Sequence, residues 1–303
     1  MQFRANGKLL LSGEYLVLDG AKALAFPTKL GQRMQISAKQ DAPPGIHWVS
    51  KLEDGSVWFE GRFGKKNNIL TATDDAVAQQ LVKLLLEATH LNPEFLLDAQ
   101  SLYVETHLEF NREWGLGSSS TLIAMLAEWA NVNPYQLLNG AFGGSGYDIA
   151  CASHDQALIY QLQNGEPKFN EVSFSPPFLD QLWLVYLGKK QVSSQEIKRY
   201  NDLRFDREKA VYDINAITEE MLRVKNFSAF ESLILEHEQL MSGILQAEPV
   251  KQRWFMDFKG QVKSLGAWGG DFVLATSEID PTAYFQFKGC DTVIPFRQMM
   301  KGY

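Results

Sequence analysis

The chain has 303 residues, 45% of them hydrophobic, enough to close two separate cores. A formal net charge of −7 and the lack of any long Lys/Arg run argue against a nucleic-acid-binding face. No stretch approaches the ~18 uninterrupted apolar residues of a membrane span, no secretory leader is visible, and there are only two cysteines, Cys151 and Cys290, so a cytoplasmic protein with free thiols is expected. In chain order, residues 7–20 read as two short strands, the first ending at Gly13, with Asp19-Gly20 as a hairpin turn. Residues 23–26 and 33–39 read as strands, and 46–49 with 57–61 as a hairpin about Glu53-Asp54-Gly55. Residues 76–89 are predicted helical because Val77, Leu81, Leu84, Leu85 and Ala88 share one face. Residues 101–110 alternate as a half-buried strand, and the apolar run from Leu122 reads as a buried helix ended by Asn133-Pro134. Turns at Asn164-Gly165 and Ser175-Pro176-Pro177 mark a break before a second sheet at 182–187. Two striped helices follow, one through Ala210, Ile214, Ile217 and Met221, the next through Phe230, Ile234, His237 and Met241. Residues 254–263 read as a further helix and 291–296 as a last strand. The pattern is α+β in two domains, 1–172 and 173–303.

Three segments carry chemistry. Gly115, Leu116, Gly117, Ser118, Ser119 and Ser120 precede the apolar helix. Glycines let backbone N–H groups approach an anion, and the serines and Thr121 cap the following helix, whose positive start faces that anion, so this loop reads as a phosphate site. It is neither a Walker loop, which would need Gly-Lys-Ser/Thr, nor a dinucleotide fingerprint, whose third glycine is here Ser120. Near the N-terminus, Lys8 stands at the mouth of an apolar strand that leads to Gly13-Glu14-Tyr15; an ordinary surface lysine is the alternative. In Gly143-Gly144-Ser145-Gly146-Tyr147-Asp148 the glycines leave room beside a single carboxylate. Asp148 is either a helix cap or a catalytic acid in a tight pocket.

Together these segments resemble the GHMP kinases, the superfamily of galactokinase, homoserine kinase, mevalonate kinase and phosphomevalonate kinase. The third family motif, a C-terminal glycine loop, is matched by Lys263-Ser264-Leu265-Gly266-Ala267-Trp268-Gly269-Gly270-Asp271. The resemblance implies a ribosomal-S5-like N-terminal half that binds ATP and a ferredoxin-like C-terminal half, with the active site between them. It implies Asp148 and Lys8 as catalytic residues, the 115–120 loop on the ATP phosphates, and Ser119 as the Mg²⁺ ligand. Lys8 would lie close enough to Asp148 to depress its pKa. On the substrate side it implies Glu14, Tyr15, Gly266, Gly269 and Gly270, and also Lys189, Ser193 and Ser194, because Gly188 to Ser194 is similar to the family's substrate-side loop. Gly13-Glu14-Tyr15, Ser145-Gly146-Tyr147-Asp148 and Gly269-Gly270-Asp271 are closer to phosphomevalonate kinase than to mevalonate kinase. Trp268 replaces a glycine usual in the third motif, and Leu137 falls about where mevalonate kinases carry a magnesium-binding glutamate.

The implied activity is ATP-dependent phosphorylation of a small mevalonate-pathway metabolite, phosphomevalonate or mevalonate, by a monomer or homodimer that binds neither nucleic acid nor membrane. A mevalonate diphosphate decarboxylase and a catalytically silent ligand sensor of the same fold are the competing readings. Zinc spacing is absent among His47, His90, His107, His154 and His237, and no Gly-x-Ser-x-Gly surrounds Ser118 or Ser145.

Overall fold

The computed structural model describes residues 1–39, 43–64, 68–97, 101–188, 193–266, 268 and 270–303. Strand β1 (Gln2–Ser12) ends at Gly13, which is left-handed at φ 91°; a Cβ there would lie 2.6 Å from the Lys22 carbonyl oxygen. The expected second strand is absent. Leu16–Asp19 is a short 3-10 helix closed by left-handed Gly20, because the four residues between the two turns bury Leu16 and Val17 without space for a strand. Strand β2 (Ala23–Ala38) is continuous where the sequence suggests two strands. Its Gly31 sits at a close approach to β1, and a Cβ there would be 2.1 Å from the Ala5 carbonyl oxygen.

The hairpin of β3 (Gly45–Lys51) and β4 (Val57–Phe63) forms as expected, followed by β5 (Ile69–Ala72). Helix α1 (Asp75–Leu91) starts at Asp74, whose carboxylate accepts from the Val77 amide, and buries Leu81, Leu84, Leu85 and Ala88. After β6 (Ser101–Leu108) and the glycine-serine loop comes α2 (Ser118–Ala130). It stops at left-handed Asn131 rather than at Asn133-Pro134. Asn133 instead caps α3 (Pro134–Ala141), with proline in the first turn, where no amide is needed. The small-residue helix after Gly146 is α4 (Tyr147–Ala152). Strands β7 (Ala157–Gln163) and β8 (Glu166–Val172) are joined by Asn164 and Gly165, both at positive φ as a tight hairpin requires.

Strand β9 (Leu182–Tyr186) precedes α5 (Ser193–Asp202), α6 (Arg207–Arg223) and α7 (Phe227–Leu245); Asp206 and Asn226 cap the last two. Helix α8 (Val250–Trp254) ends where the sequence places the start of one. Phe255 and Phe258 turn into an aromatic cluster with Tyr284 and Phe285, and the chain leaves it as strand β10 (Val262–Ser264). Strand β11 (Phe272–Thr276), α9 (Thr282–Phe287), β12 (Val293–Pro295) and α10 (Phe296–Met299) complete the chain.

Packing divides the chain into two compact units. One comprises Met1–Gly7, Leu30–Arg112 and Leu116–Ser153; the other comprises Lys8–Lys29, Glu113–Gly115 and His154–Tyr303. This grouping differs from a single cut at 172/173. The start of β2 pairs with β7 and β7 with β8, which draws both stretches to the C-terminal residues. The first unit orders its sheet β5-β4-β3-β6-β2, with β3 and β6 parallel and the other pairs antiparallel. Helices α1 to α4 share its core with Trp48, Phe59, Phe63 and Val104. In the second unit an antiparallel sheet runs β10-β11-β9-β12. With helices between β9 and β10 and between β11 and β12, that order is ferredoxin-like. Cys151 and Cys290 are buried, and neither is in a disulfide. No helix among the described residues is long and apolar enough to cross a membrane.

Candidate active site

The glycine-serine loop folds as its residues dictate. Gly115 and Gly117 take φ of 65° and 90°, and Gly117 stands at the N-cap of α2 with no side-chain cap. The first intrahelical bond runs from the Thr121 amide to the Gly117 carbonyl at 2.9 Å. The amides of Ser118, Ser119 and Ser120 thus open the helix without helical acceptors. The Ser120 hydroxyl is buried and donates back to the Gly117 carbonyl at 2.9 Å, whereas Ser119 is exposed. Leu116 is fully buried and anchors the loop. An uncapped, positively polarised helix start with an exposed hydroxyl suits a phosphate chain and a metal ion carried on it.

Lys8 lies at the entrance of this loop. Its ammonium donates to the Gly115 carbonyl at 2.9 Å. Gly115 is also pressed from the other direction: a Cβ on it would lie 2.3 Å from Oδ2 of Asp271. Asp271 is itself left-handed at φ 50° and only 8% exposed, so the last residue of the third motif packs on the first glycine of the loop. The sequence presents Asp271 only as a subfamily marker. Arg112, just before the loop, has its guanidinium 4.0 Å over the Trp58 ring.

Asp148 is half-buried in the first turn of α4, behind left-handed Gly146, and its Oδ1 accepts from the Ile149 amide at 3.0 Å. Helix α4 packs on α2 within the first unit. Tyr135 stands close enough that burial and the charges of Cys151 and Asp148 push its phenol well above the usual range. Leu137 is fully buried in α3 and is part of the core.

Of the residues expected on the substrate side, Gly266 is left-handed with open space where a Cβ would be, and Gly270 is buried. Ser193 and Ser194 begin α5. Lys189 and Gly269 lie outside the described residues. Glu14 is 1% exposed, so direct substrate contact gives way to an internal pair: Lys263 Nζ donates to its Oε1 at 2.5 Å. Tyr15 is also buried, left-handed at φ 60°, with its hydroxyl accepting from the Trp268 amide at 3.1 Å. Burial, with the negative charges of Glu196 and Glu14, pushes its phenol up to about 12.

Beside Glu14 on α7 lie His237 and Glu238. Burial pushes the Glu14 carboxyl up most strongly, but Lys263 and His237 together outweigh it and hold the group below the usual carboxylate range. Burial lifts the Glu238 carboxyl to about 8. Between its ordinary range and that value the folded chain keeps a proton that the unfolded chain has lost, so this group's contribution to stability falls as pH rises. Glu238→Gln should therefore flatten the decline in melting temperature between about pH 5 and about pH 8. Equal slopes in calorimetry of the two proteins would remove Glu238 from that linkage.

The sequence matches no family model and no curated protein. Its fold does have solved counterparts. A mevalonate kinase from Methanococcus jannaschii aligns at a TM-score of 0.66 and 17% identity, over 97% of this chain and 96% of that one. The Streptococcus pneumoniae phosphomevalonate kinase in complex with phosphomevalonate and AMPPNP aligns at 0.67 and 14%, over 100% and 98%. A Lactococcus lactis galactokinase complexed with galactose aligns at 0.68 and 12%, over 95% and 88%. The architecture is thus the two-domain α+β fold of the GHMP kinases. In fold the chain is similar along its whole length to mevalonate and phosphomevalonate kinases.

Proposed function

We propose that the chain is an ATP-dependent kinase that phosphorylates a small acceptor of the mevalonate pathway. The observation that carries this reading is the Lys8 ammonium on the Gly115 carbonyl, at the entrance of a glycine-serine loop whose helix start has three amides without helical acceptors. Phosphoryl transfer needs alignment and charge neutralisation more than covalent chemistry. The amides of Ser118, Ser119 and Ser120 hold the phosphates. The exposed Ser119 hydroxyl is the protein ligand for Mg²⁺, which supplies charge neutralisation when bound with ATP. Asp148 orients the acceptor hydroxyl and takes its proton. Lys8 stabilises the charge on the transferring group.

The preferred acceptor is anionic, phosphomevalonate over mevalonate, with neutral sugars poor. Tyr15, Tyr147 and Asp271 follow the phosphomevalonate kinase pattern. Lys189 and Lys190 supply cations in the segment similar to the family's substrate-side loop, within a chain of net charge −7. ADP release over mevalonate, phosphomevalonate, homoserine and galactose tests the reading. Phosphomevalonate is expected to give the highest kcat/KM. Preference for mevalonate, itself a carboxylate, would overturn the phosphomevalonate preference; preference for galactose would overturn the anionic-acceptor reading; and no turnover with any acceptor would overturn the kinase reading.

A further inference from the structure

The second unit holds a charged cluster that phosphoryl transfer does not use. Lys263 on β10 and His237 on α7 are 0% exposed, Glu14 is 1% exposed and Glu238 is 3% exposed. Lys263 Nζ donates to Glu14 Oε1 at 2.5 Å and to the Ser264 carbonyl at 2.8 Å. His237 Nε2 stands 3.0 Å from Glu14 Oε2, and the Ser264 hydroxyl donates to Glu238 Oε2 at 3.3 Å. One residue further on, Tyr15 takes a left-handed backbone rare for a tyrosine. It stacks on Tyr200 with ring centroids 5.3 Å apart and accepts the Trp268 amide.

Taking two charges out of water costs several kcal/mol per ion after relaxation, and a well-packed apolar pair of similar volume is as stable or more so. Stability alone therefore does not account for a lysine and a glutamate in this interior. What the pair does supply is direction. The Lys263 ammonium bonds both the Glu14 carboxylate and the Ser264 carbonyl, so it ties the turn that follows β1 to the end of β10. The turn at Gly13-Glu14-Tyr15 and the start of the third motif are joined twice, at Glu14 to Lys263 and at Tyr15 to Trp268. Tyr15 makes the second bond from a backbone at positive φ.

We propose that Lys263 is a positioning residue for acceptor binding: through Glu14 it fixes the Tyr15 turn, and through the Tyr15 hydroxyl it fixes the third-motif backbone at Trp268. The inference rests on the kinase reading, and it has a readout that does not depend on turnover. Trp268, where the family has glycine, contributes its amide to this brace and not only its bulk.

The test is the double variant Glu14→Gln/Lys263→Met, which removes both charges together and leaves no lone buried ion. With the acceptor identified above, its KM for acceptor should rise about tenfold or more, the size of one charge-assisted hydrogen bond. Its kcat and its KM for ATP should stay close to wild type. Peptides covering residues 264–271 should exchange amide hydrogens faster, while the cores of both units exchange as in wild type. Tyr15→Phe, which removes only the hydroxyl, should show the same two effects with an unchanged melting temperature, and it decides the matter if the double variant does not fold. Unchanged acceptor KM and unchanged exchange in a folded variant would overturn the proposal, as would exchange that quickens throughout the chain. If wild type turns over no acceptor, the kinase reading fails, and the exchange measurement still decides whether the brace exists.

Discussion

Asp148→Asn is expected to fold, to bind nucleotide, and to lose phosphoryl transfer by about 10²-fold or more, the usual contribution of a positioned acid or base. The structure makes this substitution a clean one. Asp148 is half-buried in the first turn of α4 and accepts one hydrogen bond, from the Ile149 amide to Oδ1. An asparagine side chain keeps an oxygen for that amide, so the helix start survives and only the proton-accepting capacity is lost. A residue that merely caps α4 would tolerate the change with near-wild-type turnover. Single-turnover kinetics with saturating nucleotide, paired with a nucleotide titration, separate the two roles. Wild-type rates would confine Asp148 to capping.

Lys8→Met should lower kcat by roughly 10²–10³-fold, the range seen when one electrostatic stabiliser of a transition state is removed. Methionine keeps the apolar stem within β1 and removes the ammonium that donates to the Gly115 carbonyl at 2.9 Å. Two losses combine. The transferring group loses a cation, and the loop loses the bond that orients its first carbonyl, next to a glycine already hemmed in by Asp271. Nucleotide affinity should fall much less than kcat, because the Ser118, Ser119 and Ser120 amides remain at the start of α2. A calorimetric melt controls for folding. A kcat within a few-fold of wild type in the folded variant would return Lys8 to the status of an ordinary half-exposed lysine.

The alphabet of the candidate site is local, and for that reason it was legible. Glycines at 115 and 117 followed by three serines specify a helix start that presents its amides, since left-handed φ and orphan amides are properties of adjacent residues, although the N-cap is Gly117 with no side-chain cap where the sequence suggests a hydroxyl cap. The amphipathic stripes of α1, α6 and α7 were legible for the same reason, as was the hairpin of β3 and β4.

Where sequence reading failed, partners far along the chain decided. Residues 254–263 have helical character, yet Phe255 and Phe258 are held by Tyr284 and Phe285, and the chain leaves that cluster as a strand paired with β11. Two apparent strands at 23–26 and 33–39 became one because β1 approaches closely at Gly31. Residues Leu16–Asp19 form a 3-10 helix that buries Leu16 and Val17, between Tyr15 at positive φ and left-handed Gly20. Glu14 shows the limit most clearly. From the sequence it is an acid in a substrate motif, but its partner Lys263 lies 249 residues away, and no local pattern ties the two. The sequence by itself determined which segments turn, cap and present amides. Only the tertiary structure decided which charges are buried against each other, because burial and pairing depend on long-range packing that local propensity does not encode.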